Sequence, residues 1–144
     1  MIEYFENDLS EDDMKNLNQL LVQLSPRLQA VNSDRINKVM QGGFVFSARD
    51  EGALIGMATL IPLVKFAGFF GNVEDVIVSE DYRGQGIGKE LMRRVVEKGK
   101  DLHMEHLFLT SSEQREAARA IYKKHGFEEY NTTPFRLFYS KDKE

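Results

Sequence analysis

Between residues 72 and 99 the hydrophobic period of the chain changes across a run of glycines. Before the change, Val73, Val76, Ile77 and Val78 form a β-branched run bounded by the polar residues 79–82, which reads as a strand. After it, Ile87, Leu91, Met92, Val95 and Val96 recur at helical spacing. Gly84, Gly86 and Gly88 separate the two periods, with Arg83 just ahead of them. Strand, tight turn and helix must therefore follow one another. Glycine lets the backbone turn sharply and lets a ligand come close to main-chain N–H groups. The first turn of the helix adds unpaired N–H donors and the positive end of the macrodipole. Arg83 and Lys89 put further positive charge beside this anion site, and a phosphate or pyrophosphate is its natural guest. A ligand-free surface turn would gain little from glycines that cost on the order of 1 kcal/mol each where they are helical.

Spacing excludes two phosphate loops. A P-loop, Gly-x4-Gly-Lys-Ser/Thr, would need glycine where Arg83 stands, and Glu90 follows Lys89. The dinucleotide fingerprint requires Gly-x-Gly-x-x-Gly, whereas the run is Gly84-x-Gly86-x-Gly88. What remains, Arg83-x-x-Gly86-x-Gly88, resembles the acetyl-CoA pyrophosphate loop of the GNAT N-acetyltransferase superfamily, Arg/Gln-x-x-Gly-x-Gly/Ala. The flanks, Val-Glu-Asp-Val-Ile-Val before and Lys-Glu-Leu-Met after, resemble the family's central strand and central helix. A second match is Ala118-x-x-Ile121-Tyr122-x-x-x-Gly126-Phe127, similar to the family's Ala-x-x-Leu-Tyr-x-x-x-Gly-Phe. Many members carry an Asn reaching the cofactor where Arg115 stands here; a guanidinium in that place can meet a phosphate instead.

The order of elements agrees with the resemblance. Residues 2–5 can form a first strand. Ser10 with Asp13 reads as an N-cap, and Leu9 can staple to Met14. Met14, Leu17, Leu20, Leu21 and Leu24 then follow helical spacing until Ser25-Pro26. A second helix starting at Asn32 or Ser33 carries Ile36, Val39 and Met40 and ends at Gly42-Gly43. Strands are expected at 44–49 and 53–61 about an Asp50-Glu51-Gly52 hairpin, and again at 107–110. Ser111-x-x-Gln114 is a capping box for a helix closed by Gly126, and two last strands are expected near 127–131 and 134–140 before a frayed tail at 141–144. The fold class is thus α/β, a GNAT-like mixed central sheet flanked by helices, in the order β-α-α-β-β-β-α-β-α-β-β. The 144 residues suit a single domain spanning 1–144.

Composition removes several function classes. With no cysteine there is no disulfide, thiolate metal site or cysteine nucleophile. A net charge of −4 argues against a nucleic-acid partner bound through a broad basic face. No basic and apolar leader opens the chain, and no apolar run approaches the roughly 18 residues of a membrane span. A soluble cytoplasmic protein without membrane partners is expected. His103 and His106 lack the context of a metal pair, and no metal is expected. His125 suits a helix C-terminus.

The resemblance implies acetyl transfer from acetyl-CoA, as acyl-donor substrate, to a primary amine of a small molecule or peptide. It places the pyrophosphate on Arg83, Gly84, Gln85, Gly86, Ile87, Gly88 and Lys89, with Arg115 as a further contact. Pantetheine would lie along the main chain of Val76, Ile77 and Val78, whose N–H groups include an oxyanion donor. Tyr122 would protonate the leaving thiolate; periodicity alone makes it a core aromatic beside Ala118 and Ile121. Successive strand side chains alternate faces, so at most one of Glu74 and Asp75 is expected to face the acceptor. Glu74 is the candidate base, the alternatives being an acceptor cation site or an ion pair. Residues 25–43 and the 131–134 turn are expected to line the acceptor site. The final strands offer edges and aromatics for a homodimer. A non-catalytic acyl-CoA-binding module on the same fold is the competing reading.

Overall fold

The computed structural model describes residues 1–111 and 115–140. Strand β1 (Ile2–Glu6) leads to a short 3-10 turn, Glu11–Asp13. Ser10 caps that turn reciprocally: its hydroxyl accepts the Asp12 N–H at 3.3 Å, and the Asp13 carboxylate accepts the Ser10 N–H at 2.9 Å. Helix α1 (Met14–Leu24) follows directly. Helix α2 (Ser33–Gly42) begins at Asn32, whose side chain accepts the Arg35 N–H at 2.9 Å. Strands β2 (Phe44–Asp50), β3 (Ala53–Lys65) and β4 (Gly68–Val78) form an antiparallel meander. After a 3-10 turn at Glu80–Tyr82 come helix α3 (Ile87–Asp101), strand β5 (His106–Phe108) and helix α4 (Glu116–Lys124). The strands lie in the order β1-β2-β3-β4-β5, and only β4 and β5 are parallel, because α3 crosses over between them.

Strand alternation sends apolar side chains to both faces of the sheet. On one face Leu17, Leu20 and Leu21 of α1 and Ile36 of α2 cover Val45, Met57 and Ile77. On the other, Leu91, Met92 and Val95 of α3 and Tyr122 of α4 cover Phe46, Ala58, Leu60 and Val73. Each fully buried side chain of this size contributes about 1.5–3 kcal/mol. An ionic network ties the start of α1 to β2: Arg49 meets Asp8 at 2.8 Å and Asp13 at 2.7 Å, and the Ser47 hydroxyl donates to Asp8 at 2.6 Å. Hydrogen bonding from Arg49 holds the Asp13 carboxyl below its ordinary pKa, although burial opposes it.

Three expectations change. First, β3 runs past its expected end at 61: Pro62, which has no N–H to give the ladder, opposes Gly71, and pairing continues to Lys65 opposite Gly68. Second, β5 covers 106–108 instead of 107–110. Third, the strands expected near 127–131 and 134–140 are not formed. Alternating aromatics make a strand only where an edge and a buried face await them. Here β5 pairs with β4 over three residues, and Phe135, Leu137 and Tyr139 remain exposed. The Gln114 half of the capping box and the tail 141–144 lie outside the described residues.

Candidate active site

Pairing between β3 and β4 is irregular at one point. Met57 pairs with Ile77 but Thr59 pairs with Glu74, so two steps on β3 face three on β4. The extra residue forms a β-bulge with Asp75 at φ +51. This overturns the alternation argument for the two carboxylates. Glu74 shares the face of its partner Thr59, and Asp75 lines a cavity on that same α1/α2 face together with Thr59 and Met57. Glu74 itself borders a shallower cleft with Asn72, Lys65, Phe108 and Tyr130. Both residues are exposed, yet partial desolvation of their carboxyls raises the pKa of both acids, and the Asp75 charge raises Glu74 further.

The parallel ladder stops at Asn72 opposite Phe108, so β4 continues through 73–78 with no β5 neighbour. Two guanidinium groups meet the main chain there. Arg115, at the start of α4, donates to the Val76 carbonyl at 3.4 Å, and Arg83 Nε donates to the Val78 carbonyl at 3.2 Å. Val76 and Val78 pack toward α3 and α4, whereas Ile77 is buried under α1.

The glycine loop follows this open edge. Gly84 and Gly86 both have φ +80, a left-handed conformation that explains glycine there without any crowding around them. Gly86 is the N-cap of α3 and brings no side-chain cap, and the first intrahelical bond runs from Glu90 N–H to Gly86 O at 3.0 Å. The N–H groups of the first turn are therefore unpaired within the helix. The Ile87 side chain is core, leaving only its N–H available, while Arg83, Gln85 and Lys89 are exposed. Tyr82 steadies the loop by donating to Asp50 at 2.7 Å, and Gln23 of α1 accepts the Glu80 N–H at 3.0 Å.

Tyr122 lies on the opposite face from the carboxylates. It is 7% exposed, with its ring 6.2 Å from that of Phe127 at the α4 terminus. Burial raises its pKa, with the nearby Arg115 charge acting the other way, so the phenol holds its proton at neutral pH. Among the described residues nothing hydrogen-bonds its hydroxyl. His125 Nδ1–H donates to the Ile121 carbonyl at 2.9 Å, and Gly126 closes the helix at φ +93.

A cavity of about 520 Å³ lies beneath the α1–α2 connection. Its lining includes residues 27–32 with Arg35, Ile36 and Val39, inside the expected 25–43 stretch. Residues 131–134 border neither this cavity nor the Glu74 cleft. The connection is fastened to α1 by Asn18, whose side-chain amide exchanges two hydrogen bonds with the Val31 backbone, at 2.8 and 3.2 Å. Sequence reasoning preferred Glu74 to Asp75 here, placed Arg35 only within the 25–43 stretch, and missed Thr59. The acidic pair interrupting a β-branched run was the one signal of a bulge, and residues so far apart in the chain carry no local signal of shared space. His106 stacks against Phe70 and Phe108 at 5.6 and 5.9 Å. Among the described residues no group of three or more acidic, Cys or His side chains could hold a metal ion, and no helix is long and apolar enough to cross a membrane.

Residues 5–127 match the Acetyltransferase (GNAT) family. The chain is 31% identical over 128 residues to a glucosamine 6-phosphate N-acetyltransferase of Trypanosoma brucei brucei, spanning 83% of this chain and 85% of that one. It is 27% identical over 92 residues to an uncharacterized N-acetyltransferase of Bacillus subtilis, 64% of this chain but only 36% of that protein's length. A crystal structure of a Trypanosoma brucei acetyltransferase superposes with a TM-score of 0.78 at 28% identity, covering 96% of this chain and 99% of that one. With the loop, the split sheet edge and these similarities together, the chain belongs to the GNAT family and carries an N-acetyltransferase domain.

Proposed function

We propose that this protein, as a single domain over residues 1–144, moves an acetyl group from acetyl-CoA directly to a primary amine of a small molecule. The observation that carries this is the open edge of β4. Tyr122 and the glycine loop lie on the α3/α4 side of the sheet, whereas Asp75, Glu74 and the large cavity lie on the α1/α2 side. A donor and an acceptor approaching from opposite sides can meet only where β4 has lost its neighbour.

In this scheme the N–H groups of residues 84–89 hold the pyrophosphate, with Arg83 and Lys89 beside it. Pantetheine follows 76–78 as an added strand, and Arg115 exchanges its contact with the Val76 carbonyl for one with the donor. An N–H of the bulged segment receives the thioester oxygen as negative charge develops on it. The amine attacks the carbonyl carbon, forming the C–N bond while the C–S bond breaks. Its surplus proton passes to Asp75 or Glu74, directly or through water, and Tyr122 gives its proton to the departing sulfur. The raised pKa values suit each direction of transfer, a more basic carboxylate and a phenol that stays protonated.

A relative named for acetylating glucosamine 6-phosphate supports a small primary amine as acceptor. Release of free coenzyme A from acetyl-CoA in the presence of amino sugars, their phosphates, amino acids and short peptides tests the proposal. Tight acetyl-CoA binding with no release for any amine would instead describe an acyl-CoA-binding module.

A further inference from the structure

We infer that the cavity beneath the α1–α2 connection selects an amphiphilic acceptor, a primary amine with an apolar body and an acid group at its far end. This rests on the acetyl-transfer reading and narrows its acceptor. The cavity volume of about 520 Å³ is that of a small-molecule site. Its core-facing wall is mainly aliphatic: Leu17, Leu21, Ile36 and Met57 line it and are each no more than 8% exposed, with Thr59 the buried polar residue among them. Hydroxyl groups set against such a surface would give up water without gaining partners. The body of the acceptor is therefore apolar.

The two ends of the cavity differ in charge. Asp75 lines it from the sheet, at the bulge beside the open edge of β4. Arg35 lines it from the exposed first turn of α2. Among the described residues, neither the Asp75 carboxylate nor the Arg35 guanidinium has a hydrogen-bonding or ionic side-chain partner. Asp75 and Arg35 in one cavity, which Arg27 also lines, match a ligand carrying both opposite charges. The amine belongs at Asp75, next to the acyl donor, and the acid group at Arg35, where a guanidinium can bind a carboxylate through two parallel bonds. A short apolar peptide has this layout, with its amine and carboxylate at opposite ends. A phosphorylated sugar has the anion but the wrong body.

Three acceptors and one substitution test the inference: leucyl-leucine, leucyl-leucinamide, glucosamine 6-phosphate, and Arg35→Met. Leucyl-leucine is expected to show a kcat/KM at least about tenfold above either competitor, the size of a charge-assisted hydrogen bond. Arg35→Met should collapse its advantage over the amide, acting through KM. Equal or better turnover of the amide or of glucosamine 6-phosphate overturns the inference while leaving acetyl transfer intact. If none of the three is turned over although acetyl-CoA binds, the transfer reading is at fault. Calorimetry with leucyl-leucine then decides the cavity's selectivity. Binding weakened about tenfold by Arg35→Met upholds it, and no binding overturns it.

Discussion

Gly86 allows the anion placement to be tested without disturbing the core. No atom lies within 4 Å of a Cβ built there, so a side chain meets no clash, only the strain of φ +80. That strain is about 1–2 kcal/mol for most residues and less for Asn and Asp. Gly86→Asn and Gly86→Asp have nearly the same shape and share this cost, but they differ by one negative charge. With a pyrophosphate on the N–H groups of 84–89, the added carboxylate would come within about 5 Å of a phosphate oxygen. At that distance two unit charges repel by about 0.8 kcal/mol in bulk water and about 3 kcal/mol at an effective dielectric of 20. The loop is exposed, so the lower half of that range applies: roughly 1–2 kcal/mol, or about a five- to thirtyfold weaker affinity for the Asp variant. Calorimetric titration with acetyl-CoA measures it, and thermal unfolding checks that both variants are folded to the same extent. The gap should narrow at about 1 M salt, where the Debye length is near 3 Å. Equal affinities at low salt, within about twofold, would refute the placement, because electrostatics this close cannot vanish.

Tyr122→Phe should lower the single-turnover rate by at least about tenfold, since general acid assistance is typically worth about 100- to 10,000-fold, while acetyl-CoA affinity changes little; an unchanged rate makes Tyr122 a packing residue. Asp75→Asn should slow transfer yet raise the melting temperature near neutral pH. Burial raises this carboxyl's pKa in the folded state, so its charge opposes folding above the unfolded pKa, and the gain should fade as pH falls below both values. A lower melting temperature at neutral pH would contradict this. Arg49→Met strands Asp8 and Asp13 and should cost about 3–5 kcal/mol in urea unfolding. The stability that Arg49 lends through Asp13 is present above the unfolded carboxyl pKa and is lost as pH falls through the lower folded value. Pairing of two copies through 134–140, where Phe135, Leu137 and Tyr139 are exposed, predicts a dimer mass by light scattering; a monomer mass over a wide concentration range rules it out.

Much of the fold was legible because its signals are local. Ser10 and Asn32 cap the helices that follow them, and the glycine loop joins a strand to a helix where the period changes. Regular alternation failed at Asp75, because a bulge is set by how two strands register and not by either strand alone. The closing strands failed for a related reason. An alternating pattern at 134–140 specifies a face, but the partner edge is supplied by the rest of the fold, and β5 offers three residues. The loop was readable as an anion site since spacing, glycine and charge lie together in the chain. The acceptor cavity was not: its Arg35, Thr59 and Asp75 are brought together only by folding.

The Asn18 clamp on Val31 has a consequence for how such a protein can diversify. The chain between α1 and α2 is held at its far end by two hydrogen bonds to a single backbone residue, and these do not depend on which side chain that residue carries. Residues 28–30 are exposed and lie outside the hydrophobic clusters that hold the sheet and helices together. They can be exchanged at little cost to folding while they line the cavity. New acceptor preferences are therefore accessible by one or two substitutions in this short arc, with the donor site left as inherited.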